Sequence, residues 1–390
     1  MTSQFKFCTP STSEQLQRLE EITRQCFNES SSHWSSYYQN VGQENFRCLQ
    51  RAGEVVGSLA IYPIAQWFGG QCIPMAGLAS VGVPPEHRGT GVAVEMLTQT
   101  LRELHQNGVP LSTLYAATQR PYRKVGYEQA GTRCLWKLPL DSILMRSRTL
   151  PVRAVPRQAE VFADLYQKAA SQTNGKLERN AALWTRVLQP QRAEVYAYTI
   201  GSETQLVGYV IFKQQQTSTG YDLVVQDCVV LTPAAEQQLW TFFADHRSIA
   251  QSVLWRGPSV DPLLLQLPEQ TSTVQHVERW LLRVVDVPKA LEKRGYPVGV
   301  DAELHLNIQD DVLPENTGKF VLTVSGGSGE VTRGGRGDLQ LNIGGLAPLY
   351  TGLFTPEQLK TAGLLASTDA ALVAATQLFS GSEPWMSEHF

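Results

Sequence analysis

Val81-Gly82-Val83-Pro84-Pro85-Glu86-His87-Arg88-Gly89-Thr90-Gly91-Val92-Ala93 is the stretch on which the reading of this chain turns. It follows an apolar run with strand character, CIPMAGLASVGV, that starts at Cys72. It precedes Val92, Met96, Leu97, Leu101 and Leu104, which recur at helical spacing until Gly108-Val109-Pro110 stops them. Small residues in a strand-to-helix turn let backbone amides converge on one concavity, and the helix dipole adds partial positive charge there. A pyrophosphate suits such a place, and Arg88 can add a charge-assisted contact. The dinucleotide fingerprint G-x-G-x-x-G is absent, because Val94 stands where the third glycine would be, and the Walker lysine is absent too. On this motif alone, a tight loop with a helix cap is the competing reading.

Upstream, Ser11 followed by Glu14 ahead of Leu16, Leu19, Ile22 and Phe27 predicts a capping box and an amphipathic helix ending near Asn28. The polar stretch Glu29 to His33 breaks it, and Asn45 to Val83 reads as an antiparallel meander with turns at Ala52-Gly53 and Gly69-Gly70. Downstream, LSTLYAAT (111–118) is a buried strand, a short helix surrounds Tyr122, and EQAGTRCLWKL is a further strand. The prolines and arginines of 141–156 lack periodicity and read as a linker. Between 157 and 257 the element order of the first unit recurs, which implies a duplication read from pattern alone. In this copy VVQDCVVL runs straight into Thr232-Pro233-Ala234-Ala235, with no arginine or glycine to wrap a pyrophosphate, so the copy reads as degenerate. A last unit opens near Trp280 with WLLRVVD, continues in alternating strands and closes on three short helices.

The fold class is therefore α+β, in three units: 1–145, 150–280 and 281–390 of the 390 residues. With 42% hydrophobic and 18% charged residues the chain can bury a sizeable core, which excludes a disordered or fibrous protein. A net charge of -3 argues against a nucleic-acid or anionic-membrane footprint and tolerates a cationic small molecule. No apolar run reaches membrane-helix length and MTSQFKFCTP lacks signal-peptide character, so a cytoplasmic location is expected. Scattered cysteines without C-x-x-C and histidines without H-E-x-x-H lead us to expect reduced thiols and no metal.

The run R-x-x-G-x-A after V-x-V-x-P resembles the acyl-CoA pyrophosphate loop of the GNAT superfamily of N-acetyltransferases. Tyr122-Arg123-Lys124-Val125-Gly126-Tyr127, after the buried strand, resembles the Y-x-x-x-G-F/Y signature of the same enzymes. The whole chain, including Arg283 to Tyr296 (R-V-V-D-V-x-x-A-L-x-x-R-x-Y), resembles the enhanced-intracellular-survival (Eis) family. The resemblance implies tandem GNAT folds with mixed, mostly antiparallel sheets, followed by a sterol-carrier-protein-like domain.

It also implies acetyl-CoA as co-substrate, held by Val81, Val83, Arg88, Gly89, Thr90, Gly91, Val92 and Ala93. Tyr122 would protonate the departing thiolate, and the C-terminal carboxylate, here of Phe390, would act as base in the first unit. His389 stands where family members carry an acid, and it is a rival for that role. Glu29, Trp34 and Ser80 fall in the region that contacts the acceptor, Ser80 replacing a bulkier aromatic. The implied acceptor is a small multi-amine compound such as an aminoglycoside or polyamine, and the implied assembly a homo-oligomer. The competing readings are a protein lysine or N-terminal acetyltransferase and a non-catalytic acyl-CoA or lipid-binding protein.

Overall fold

The computed structural model describes residues 5–28, 31–190 and 193–390. The first unit runs β1 (Phe5–Cys8), α1 (Ser13–Phe27), α2 (Ser31–Val41), β2 (Phe46–Arg51), β3 (Glu54–Phe68), β4 (Gln71–Gly82), α3 (Val92–Gln106), β5 (Leu111–Tyr115), α4 (Arg120–Arg123) and β6 (Glu128–Pro139). The second runs β7 (Val152–Ala154), α5 (Ala159–Ala170), β8 (Leu177–Glu178), α6 (Ala181–Leu188), β9 (Val195–Gly201), β10 (Leu206–Gln216), β11 (Tyr221–Val230), α7 (Pro233–Ala244), β12 (Ala250–Gly257) and β13 (Thr273–Val284). The third comprises α8 (Val287–Lys293), β14 (Ala302–Gln309), β15 (Gly318–Ser325), β16 (Ser328–Arg333), β17 (Leu339–Asn342), α9 (Ile343–Thr351), α10 (Pro356–Thr361), β18 (Leu365–Ser367) and α11 (Asp369–Leu378). Among the described helices none is long and apolar enough to cross a membrane.

The first two units share one sheet in the order β1-β2-β3-β4-β5-β13-β6-β12-β11-β10-β9-β7, with β8 on β3. The order is a palindrome of the two copies. In each, two parallel strands, β4 with β5 and β11 with β12, are joined by a crossover helix, α3 or α7. The copies then exchange end strands: β6, leaving the first unit, pairs with β12, and β13, leaving the second, pairs with β5. The boundary expected at 281 thus falls inside β13, and Trp280 to Val284, read as the opening of the third unit, is a central strand of the larger sheet. The third unit has its own sheet, β16-β15-β14-β17-β18.

Local chemistry corrects the N-terminal reading. The capping box of α1 is built by Thr12 and Gln15, one residue later than Ser11 and Glu14: Thr12 Oγ1 accepts from Gln15 N, and Gln15 Oε1 accepts from Thr12 N. After α1 the left-handed Asn28 turns the chain, and the supposed break gives way to α2. Trp34, Tyr37, Tyr38 and Val41 sit at helical spacing on α2, so the periodicity was there but lay hidden among serines. The segment read as a linker contributes the short edge strand β7, paired with β9.

Arg283 explains the R-V-V-D run. Its side chain is 0% exposed; Nη2 donates to both carboxylate oxygens of Asp310 (2.7 and 2.6 Å), and Nε donates to the carbonyl of Val125 (2.8 Å) in the turn after Tyr122. One guanidinium thereby ties the larger sheet, the third unit and that turn together. Replacing it by methionine strands a buried carboxylate, so Arg283→Met is expected to lower stability by about 3–5 kcal/mol. Urea denaturation of the two proteins measures it.

Candidate active site

The site begins where β4 and β5 part. Their parallel pairing covers Met75 to Gly77 against Leu111 to Thr113 and then stops, while β4 runs on to Gly82 with no strand paired on that side among the described residues. A bulge aids the divergence: the β3 register jumps from Ala60↔Ala79 to Ser58↔Gly82, and Ser80 takes φ 50. The wedge leads to the turn 83–91. Gly89 (φ 77) and Gly91 (φ 85) are left-handed and face open space, and Gly91 caps α3 without any side-chain bond, which leaves the first amides of the helix available. An ion pair of Arg18 with Glu86 (2.8 Å) and a hydrogen bond between His87 Nε2 and Glu54 (3.3 Å) brace this turn, and Thr90 Oγ1 donates to the His87 carbonyl. These residues fit a pyrophosphate at the helix start. Arg88 adds something the motif did not show: its Nε donates to the carbonyl of Val83 (3.0 Å), so Val83, one residue past β4, has its carbonyl already engaged.

Beyond the wedge lies a cavity of about 1060 Å³ whose wall includes Trp34, Ser80, Val81, Tyr122, His389 and Phe390. Glu29 lies outside the described residues. Tyr122, on α4, stands edge-on to Tyr127 with ring centroids 6.0 Å apart, and among the described residues its hydroxyl has no hydrogen-bond partner. Burial alone pushes that phenol up to about 12. Phe390 arrives from the other end of the chain. Its ring meets Tyr62 and Tyr115 at 6.3 and 6.1 Å and packs over Gly77, where a Cβ would come within 2.6 Å of Cε2. His389 stacks on Tyr115 at 4.5 Å; desolvation, with Arg133 nearby, holds its imidazole below the usual value. Trp34 belongs to an aromatic cluster with Tyr37, Tyr38 and Phe46, and Tyr37 Oη and Ser80 Oγ share a hydrogen bond of 2.7 Å.

Sequence profiles of the acetyltransferase (GNAT) domain match residues 8–130 and 175–284, and that of the sterol carrier protein domain matches 287–387. An N-acetyltransferase Eis of Mycobacterium tuberculosis is 26% identical over 88% of each chain, and an uncharacterized N-acetyltransferase of Streptomyces avermitilis 29% over 83% of each. The crystal structure of a GCN5-related N-acetyltransferase from Anabaena variabilis is 47% identical, covers 99% of this chain and 100% of its own, and superposes with a TM-score of 0.95. The chain belongs to the Eis-like GNAT N-acetyltransferases.

In this acetyltransferase two wall residues, Tyr115 on β5 and Arg186 on α6, carried no sequence signal. Arg186 Nη1 donates to the His389 carbonyl (3.1 Å) and Nη2 to Oη of Tyr62 on β3 (3.0 Å), behind the wall. The second GNAT domain differs at the matching helix start, where side-chain capping and a proline occupy the first amides. There Thr232 Oγ1 accepts from Ala235 N, Pro233 has no N–H to give, and the Glu236 carboxyl lies in the first turn. Burial and neighbouring Asp261 push Glu236 up to about 7. Because its folded value exceeds the ordinary one, the folded state holds the extra proton, and stability falls as pH rises from the ordinary carboxyl value to about 7. Glu236→Gln is therefore expected to raise the melting temperature at pH 8 by about 1–2 °C, partial exposure screening the rest, and to leave it unchanged at pH 4. A thermal-shift series across pH tests this.

Proposed function

We propose that this acetyltransferase moves acetyl from acetyl-CoA directly to a primary amine of a small multi-amine acceptor, aminoglycoside- or polyamine-like. The observation that carries the reading is the convergence of Tyr122 and Phe390 on one cavity beside the β4–β5 wedge. Acetyl-CoA supplies an activated thioester. The amides of Gly89, Thr90, Gly91, Val92 and Ala93, with Arg88, would hold its pyrophosphate, and the β4 edge at Val81 and Val83 would align its pantetheine arm. The uncapped, glycine-flanked start of α3 supports this, and the side-chain-capped, proline-bearing start of α7 supports a non-catalytic second copy.

An alkylammonium has no lone pair to attack with, so its proton must first be removed. The Phe390 carboxylate is the proposed base. An α-carboxyl ordinarily titrates near about 3.5, so at neutral pH it is ionised and free to accept a proton. The nitrogen then bonds to the carbonyl carbon, the carbon–sulfur bond breaks, the sulfur takes the proton of Tyr122, and the second proton the nitrogen sheds on becoming an amide restores the phenol. A phenol held at about 12 keeps that proton throughout the neutral range. Trp34 and Tyr37 offer aromatic faces to further ammonium groups.

One observation favours a second reading of the acceptor. The described wall of the cavity includes Arg24 and Arg186 but no Asp or Glu side chain. An amine there meets the Phe390 carboxylate as its anionic partner, which favours acceptors with few positive charges. Thiol release from acetyl-CoA against aminoglycosides, polyamines, monoamines and lysine peptides tests both readings. Turnover only with lysine peptides would make the chain a protein acetyltransferase, and none with any amine would overturn the proposal.

A further inference from the structure

We propose that Arg179 is a positioning residue: it locks the chain end, 383–390, into the cleft of the second GNAT domain and so sets where Phe390 lies in the first. The inference rests on the proposed part of Phe390 in the transfer.

In the second domain the parallel pairing of β11 with β12 ends at Val224↔Leu254, as β4 and β5 part in the first. Asp227 lies beyond that point on β11. Arg179, just before α6, donates from Nη1 to Asp227 Oδ2 (2.5 Å) and from Nε to Glu388 Oε1 (2.6 Å). Its guanidinium lies 3.7 Å from the Tyr166 ring and 4.7 Å from that of Trp184, and Tyr209 Oη donates to the same oxygen of Asp227. The side chains of Arg179, Asp227 and Glu388 are 1, 3 and 5% exposed, so one buried cation holds two carboxylates from distant parts of the chain. Buried Lys176 adds positive charge beside both acids, and Arg179 makes the direct contacts that hold them in place.

The rest of the tail is held by the same domain and by β6. Glu383 accepts from the backbone amides of Ser259 and Val260, Lys176 Nζ sits 3.5 Å over the Trp385 ring, and Arg133 Nε donates to the Ser387 carbonyl (2.9 Å). Tyr115 Oη takes the Glu388 carbonyl (2.9 Å), and Arg186 that of His389. The second copy thus keeps a cleft at the matching place in its sheet, and what that cleft grips is the tail. A group two residues from Phe390, fixed at both backbone and side chain, dictates where the last ring and carboxylate can reach.

The test uses Glu388→Ala and, to keep side-chain volume and guard against unfolding, Glu388→Gln in the full chain. Hydrogen exchange of a peptide spanning 383–390, read by mass spectrometry, is expected to quicken by about tenfold or more in the alanine variant and less in the glutamine one. The kcat for amine acetylation is expected to fall by about tenfold or more with the KM for acetyl-CoA within about twofold. Arg179→Lys, which keeps the charge but loses the planar fork, should be intermediate in both readouts. Unchanged tail exchange in Glu388→Ala overturns the proposal. A freed tail with undiminished kcat leaves the clamp standing and removes Phe390 from the chemistry.

Discussion

One glycine added after Phe390 is expected to lower kcat by about 10²–10⁴-fold, the range a general base contributes, with little change in the KM for acetyl-CoA. The Phe390 ring is fixed over Gly77 between Tyr62 and Tyr115, so an extra residue cannot be absorbed by sliding the tail deeper. The carboxylate is instead carried off by about 3.5 Å, one residue's reach, out of hydrogen-bond range of an amine placed for it. Thiol release measured with the best acceptor of the panel reads the effect. Retained activity would exclude the carboxylate and give its role to His389, whose ring is untouched by the addition. The two bases also differ in pH dependence. The imidazole is held below its ordinary value, so it is neutral at pH 7, and an acid limb set by it falls at a pH under that value.

Tyr122→Phe is expected to lower kcat by about 10²-fold or more while leaving acetyl-CoA binding intact. Phenylalanine preserves the edge-on packing against Tyr127, and the variant removes a single oxygen. The residue lines the cavity and, among the described residues, its hydroxyl has no hydrogen-bond partner, so the fold gains nothing from that oxygen. The variant should therefore melt no lower than the parent. Lost turnover without lost stability is the signature of a group retained for chemistry. Unchanged turnover would remove Tyr122 from the proton path.

The chemistry-bearing turns were legible because each is local. Gly89-Thr90-Gly91 before an amphipathic run and Tyr122 to Tyr127 after a buried strand announce themselves within a dozen residues, and the structure forms both as expected. Part of the cavity wall was not legible. Tyr115 and Arg186 reach it only through tertiary contacts and no spacing links them, whereas Phe390 entered through the family resemblance alone. The helix α2 was missed because its aromatic stripe is interleaved with serines, which favour caps and turns over helix interiors. The end-strand exchange was invisible for a different reason: β6 and β13 look like ordinary alternating strands, and nothing in such a pattern names the partner.

That exchange has a consequence for how the molecule is made. Strand β13 lies directly beside β5, and Thr113 Oγ1 bonds the carbonyl of Leu281, 168 residues further along. During synthesis the N-terminal half therefore waits for a strand the ribosome has yet to deliver, with the β5 edge bare in the interim. Contacts of such long sequence separation slow folding, and an uncovered edge invites pairing with other chains. The first GNAT domain is thus dependent on the second before any substrate is met: it cannot be released from the ribosome early as a finished domain, and a chain stalled in the second copy would leave an aggregation-prone first one.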